Sequence, residues 1–181
     1  MIILGIDPGS RHTGYGVVRH DGGRQQVVEY GVLHLDATDD HELRLKQIYD
    51  RLTQVIERSL PDQCAIEMPV YGRNPQSMLK LGRAQAAAML AVLNRQIPVT
   101  QYTPKEVKKS VTGNGNASKE QVWYMIRSLL TITDADPRLG LDASDALAVA
   151  LCHAHRQTHG PQTQQHKDWA AFLRANPDRI S

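Results

Sequence analysis

Apolar positions recur along the chain with two periods. "IILGID" at residues 2–7 is a short apolar run ending in a carboxylate, and "GYGVVRH" and "VVEYGVLHL" alternate like half-buried strands. The "DGG" between them reads as a hairpin turn, so the first 35 residues predict a three-strand antiparallel meander. The period then lengthens. In "HELRLKQIYDRLTQVIERSL", Leu45, Ile48, Leu52, Val55, Ile56 and Leu60 fall at helical spacing. "CAIEM" (64–68) reads as a fourth strand, Pro75 to about Arg95 as a helix, and "PVTQYT" as a fifth strand. "PKEVKKSV" opens a short helix with proline in its first turn. "GNGNA" reads as a flexible break, after which Ser118 and Gln121 are spaced as a capping box at the head of "SKEQVWYMIRSLLTI". A last helix starts near Asp142. Antiparallel strands followed by strands alternating with helices predict one mixed α/β sheet of five strands, covered by helices.

Size and composition narrow this only a little. A length of 181 residues suits one domain with a sizeable core. No apolar run approaches the roughly 18 residues of a membrane span, and "MIILGIDPGS" lacks the features of a signal peptide. Cys64 and Cys152 stand in apolar settings and read as free core thiols of a reducing cytoplasm. Beyond Gly160 the chain is polar apart from "WAAFL", so residues 158–181 are expected to form a partly disordered tail.

Charge changes the picture more. The net charge is only +2, but residues 73–127 hold nine lysines and arginines against two acids, Glu106 and Glu120. The rest of the chain holds twelve basic residues against seventeen acidic ones. A basic zone within one domain favours a polyanion such as nucleic acid.

The carboxylates carry the chemistry. In "GLDASDALAVAL", Asp142 reads first as an N-cap and Asp145 as an acid at N3, both at home at the positive end of a helix. Asp7 in "DPGS" could start a turn, and Glu67 could pair with an arginine at a strand end. As a set they are harder to dismiss. Acids that interrupt apolar strands are desolvated, and like charges about 4 Å apart repel by roughly 4 kcal/mol at an effective dielectric near 20. A hard divalent cation relieves both costs, and oxygen ligands suit Mg²⁺ or Mn²⁺ better than zinc.

"GIDPGSRHTGYGVV" resembles both the first phosphate loop of actin-like ATPases and the opening hairpin of ribonuclease-H-like nucleases. The ATPase reading needs a second such hairpin and a nucleotide lobe, and this sequence offers neither. Taken in order, "GIDPGSRHTGYGVV", "AIE", "NPQSMLKLGRAQ", "VKKSVTGNGNASKEQV" and "DASDALAVALCHAH" resemble the RuvC family of Holliday junction resolvases over roughly residues 1–157. The resemblance implies a ribonuclease-H-like mixed five-stranded sheet with helices on both faces, forming a nuclease domain over residues 1–157. It implies a homodimer making paired, Mg²⁺-dependent cuts in opposed strands of a four-way DNA junction. A branch-migration motor complex is the implied partner, in the cytoplasm and away from any membrane.

It assigns Asp7, Glu67, Asp142 and Asp145 as catalytic acids holding two Mg²⁺ ions per site, which Mn²⁺ could replace. The three-residue spacing of Asp142 and Asp145 sets both on one helix face, where two ions roughly 4 Å apart could serve in-line phosphodiester hydrolysis. Lys108 and Lys119 fall where the family places lysines for junction DNA. Arg73, Lys80, Arg83 and Lys109 are backbone-contact candidates.

Many members have phenylalanine three residues after the glutamate; here Val70 stands there, and the ring available to stack on a base is that of Tyr71. Where many relatives read LGQARG this chain reads "LGRAQA", so no role passes to Gln85. The small residues of "AQAAAMLAVL" suit a core helix and would also let a helix approach a symmetry mate closely. The alternatives are a related nuclease acting on RNA precursors and a catalytically silent junction-binding protein.

Overall fold

The alternating N-terminal segments pair as the meander predicts. Strand β1 (Ile2–Asp7) runs antiparallel to β2 (His12–Asp21), and β2 to β3 (Arg24–His34). The β2–β3 turn places Gly22 and Gly23 at φ +54° and +92°, the left-handed pair that a two-residue hairpin of this twist needs. The computed structural model describes residues 1–69, 72, 74–132 and 140–159.

Helix α1 (His41–Ser59) returns the chain to β4 (Gln63–Glu67), which lies parallel to β1; α2 (Pro75–Leu93) leads to β5 (Val99–Tyr102), parallel to β4. The strand order is β3-β2-β1-β4-β5. Three helices follow: α3 (Pro104–Thr112), α4 (Lys119–Leu130) and α5 (Gly140–His159).

The sheet separates two apolar cores. On one face Leu4, Ile6, Val17, Cys64 and Ile66 meet Ile48, Leu52 and Val55 of α1 and Ala84, Ala88 and Ala91 of α2. On the other, Ile3, Val18, Ala65 and Tyr102 meet Val107, Val122, Ile126, Leu147 and Leu151 from α3, α4 and α5. Helices on both faces of a mixed five-stranded sheet are the expected class, and the two cysteines are free and buried as expected.

Two expectations change. "GNGNA" is a hydrogen-bonded turn: Gly113 is the left-handed C-cap of α3, Asn114 Oδ1 accepts from the Asn116 amide at 3.0 Å, and Ala117 is buried. Helix α5 starts at Gly140, so Asp142 lies inside its first turn and is not the N-cap, and Asp145 lies beyond N3. The alanines of α2 pack into the core as expected, while Leu79, Leu90 and Leu93 face outward, 55%, 53% and 48% exposed. The tail beyond Gly160 lies outside the described residues.

Candidate active site

Both central strands end in an acid at the same edge of the sheet. The parallel register pairs Ile6 with Ile66, which sets Asp7 and Glu67 side by side at the carboxyl ends of β1 and β4. Ligands of α/β sheets gather at such edges.

The acids on α5 reach that edge because the sheet beneath the helix lacks side chains. A Cβ built on Gly14 would collide with the Asp142 carbonyl oxygen, and one on Gly5 with the Ala146 carbonyl oxygen. A Cβ on Gly16 would stand 2.7 Å from Leu147 Cδ2. Glycine at these places lets the helix backbone lie directly on β1 and β2. The loop between those strands is closed by Thr13, whose hydroxyl donates to the Gly9 carbonyl at 2.9 Å.

Ligand oxygens of Asp7, Asp142 and Asp145 consequently lie within 4.8 Å of one another. Burial pushes the Asp7 carboxyl up to about 7, with the charges of Asp145 and Asp142 adding to the rise. Burial likewise raises Glu67 to about 8, reinforced by Asp7 and Asp145. Asp145 is raised by burial too, although Lys119 works against it. Charges so close and so poorly solvated are an unfavourable arrangement alone and a suitable one for a hard divalent cation, which prefers oxygen ligands.

Lys119 is the counter-charge in this structure. At the head of α4, behind the predicted capping box of Ser118 and Gln121, its Nζ donates to Asp145 Oδ2 at 2.6 Å. Burial alone would lower its pKa; the bond to Asp145 and the charges of Asp145, Asp7 and Asp142 raise it instead. Lys119 therefore sits within the acid cluster itself. Lys108 is half-buried, and its charge acts on Glu67 and Asp145. Lys80, Arg83 and Lys109 are exposed and lie outside the cluster. Tyr71 and Arg73, with Val70, lie outside the described residues.

Sequence reasoning passed over Gln85. Its amide, from α2, lies 3.4 Å from the Glu67 carbonyl oxygen and donates to Gln101 Oε1 at 3.1 Å, tying the ends of β4 and β5 to the helix. A glutamine on a helix facing a strand end carries no signal in a single sequence.

A family profile described as "Crossover junction endodeoxyribonuclease RuvC" matches residues 3–153. A crossover junction endodeoxyribonuclease RuvC of Salinibacter ruber is 60% identical over 181 residues, covering 100% of this chain and 99% of the relative. Among solved structures, Thermus thermophilus RuvC superposes with a TM-score of 0.79 at 32% identity, over 88% of this chain and 97% of that one. The same protein in complex with a Holliday junction substrate gives a TM-score of 0.79 at 30% identity, over the same shares of the two chains.

Proposed function

The chain belongs to the RuvC family of crossover junction endodeoxyribonucleases, and from that membership we infer that Asp7, Glu67, Asp142 and Asp145 form the metal-binding catalytic centre of a Holliday junction resolvase. The activity is structure-specific hydrolysis of DNA phosphodiester bonds at a four-way junction, in recombination and repair. The observation that carries the catalytic assignment is the convergence of acids from β1 and α5 on one sheet edge, with Glu67 beside them. Nothing observed favours RNA precursors or a silent junction-binding protein.

The four acids would hold two Mg²⁺ ions, with Mn²⁺ as a substitute. Bound there, the ions supply activation of the attacking water and stabilisation of the departing 3′ oxygen, leaving 5′-phosphate and 3′-hydroxyl ends. The chain's own residues orient the site. Glycine-lined packing fixes the height of Asp142 and Asp145 above Asp7, and Gln85 steadies the strand that ends in Glu67. Lys119 holds Asp145, and with Lys108 it brings positive charge to the edge where a phosphate must arrive. Lys109, Arg73 and Tyr71 are further DNA contacts in this reading. With Mg²⁺, the protein should cut a four-way junction in opposed strands and leave a matched duplex and a structured RNA intact on denaturing gels; equal cutting of the duplex would remove the junction from the proposal.

A homodimer completes the reading, since two opposed cuts need two sites. The outward face of α2, with Leu79, Leu90 and Leu93 exposed, supports a contact between symmetry mates. Sedimentation at micromolar concentration should give a dimer without DNA. Burying a leucine contributes about 2 kcal/mol, so Leu90→Glu should weaken the dimer roughly thirtyfold. A wild-type monomer with junction cleavage intact would contradict the proposal. A cytoplasmic location agrees with the two free thiols, and no described helix is long and apolar enough to cross a membrane. A branch-migration motor complex remains the proposed partner, and residues 1–157 the nuclease domain.

A further inference from the structure

Helices α1 and α2 both begin at the sheet edge that carries the acids, on the opposite face from α5. Where they meet, the charges of Arg44, Arg83 and Lys80 outweigh that of Glu42 at His41. Arg44 is buried, with 9% of its surface exposed, and its guanidinium has no hydrogen bond or ion pair among the described residues; Nε in particular is sealed from solvent and unpartnered. One turn earlier, both ring nitrogens of His41 are likewise buried and unpartnered. Burial and the charges of Arg44, Arg83 and Lys80 hold the His41 imidazole below its usual range, against the opposing charge of Glu42.

Three of the acids on this stretch are already engaged, and Glu42 is exposed. Asp36 accepts from Thr38, Asp39 from Gln47, and Asp50 pairs with Lys46. Asp40, the N-cap of α1, makes no side-chain cap bond. Buried polar groups are almost always satisfied, and a buried charge without a partner is costly. Arg44, His41, Lys80 and Arg83 thus make a donor-rich, acid-poor corner that needs an anion.

We propose that this corner is a phosphate subsite: Arg44 and His41, flanked by Lys80 and Arg83, bind a backbone phosphodiester of the junction beside the catalytic edge. Guanidinium and imidazole N–H groups match phosphate oxygens, and a polyanion supplies what the chain withholds. A carboxylate from a second copy is the competing source of negative charge. The sequence of α2 disfavours it, since the helix contains no Asp or Glu to offer a symmetry mate. The subsite rests on the junction-cleaving assignment above, but its test does not need cleavage.

The test compares wild type with Arg44→Gln, metal-free, on a four-way junction across a salt series, beside thermal melts in inorganic phosphate or in chloride of matched ionic strength. Loss of one phosphate contact should flatten the slope of log affinity against log salt by about one unit. Phosphate should raise the wild-type melting temperature above the chloride control, and Arg44→Gln should lose that rise. An unchanged slope overturns the subsite, even if free phosphate still stabilises the protein. So does a variant that sediments as a monomer, since Arg44 would then face a partner chain. If Arg44→Gln does not fold, Lys80→Gln with Arg83→Gln decides: a slope flatter by about two units supports the subsite, and a wild-type slope refutes it. Failure of wild type to cut junctions, with these binding results intact, would count against the function and leave the subsite standing.

Discussion

Asp142→Asn and Asp145→Asn will fold and bind a four-way junction, yet cleave it more slowly by orders of magnitude. Asparagine keeps the size of aspartate, and neither position is the cap of α5, so the helix has little reason to change. What is lost is charge. Two ions held by neighbouring carboxylates need that charge, and both halves of the proposed chemistry depend on them. Asp7→Asn and Glu67→Gln should behave alike. Junction binding should tighten without Mg²⁺, because repulsion between the edge and phosphate falls.

Stability supplies an independent check. The carboxyls of Asp7 and Glu67 are raised to about 7 and about 8 in the folded state, from ordinary values of 3.8 and 4.5. Folding therefore takes up protons at this edge. The associated stability is complete below about pH 4 and is lost as pH rises through 7 to 8. Metal-free Asp7→Asn should then melt above wild type at pH 8, and Mg²⁺ should raise wild type more than the variant. Near-wild-type cleavage by Asp142→Asn and Asp145→Asn would sink the four-acid centre.

The second large effect belongs to a residue without a side chain. Gly5→Ala should lower the melting temperature and remove most cleavage. The added methyl would collide with the Ala146 carbonyl and crowd Ala150, whose amide nitrogen would stand 2.8 Å away. Both obstacles include backbone, so no rotamer change relieves them, and α5 must lift from the sheet. Overpacking of this sort costs roughly 1–3 kcal/mol or more, about 3–10 °C in a chain of this length. Because α5 carries Asp145, displacement of the helix opens the carboxylate cluster as well. A Gly5→Ala protein with wild-type melting and wild-type cleavage would show that the close approach does not set the site.

These two tests divide what the sequence told from what it withheld. The strands and amphipathic helices were legible because burial imposes a period on a chain, and the family resemblance singled out the four acids. The capping box at Ser118 was legible for a similar reason, being a local pattern with a local cause. Lys119 was visible as a charge but not as the partner of Asp145, since 26 residues and a helix crossing separate them. The start of α5 was misplaced because an aspartate is equally at home at the cap and in the first turn. Gly5, Gly14 and Gly16 stood in plain view, yet their meaning depends on a helix more than 120 residues further along the chain.

The two cores, one on each face of the sheet, also give the molecule a pair of internal clocks. Cys64 belongs to the layer under α1 and α2, Cys152 to the layer under α3, α4 and α5. Burial raises both thiols, Cys152 to about 11, so neither reacts while its own layer is closed. Each sulfur becomes alkylable only when its side of the sheet opens. The order in which the two are trapped therefore records which half of the protein comes apart first, with no label added.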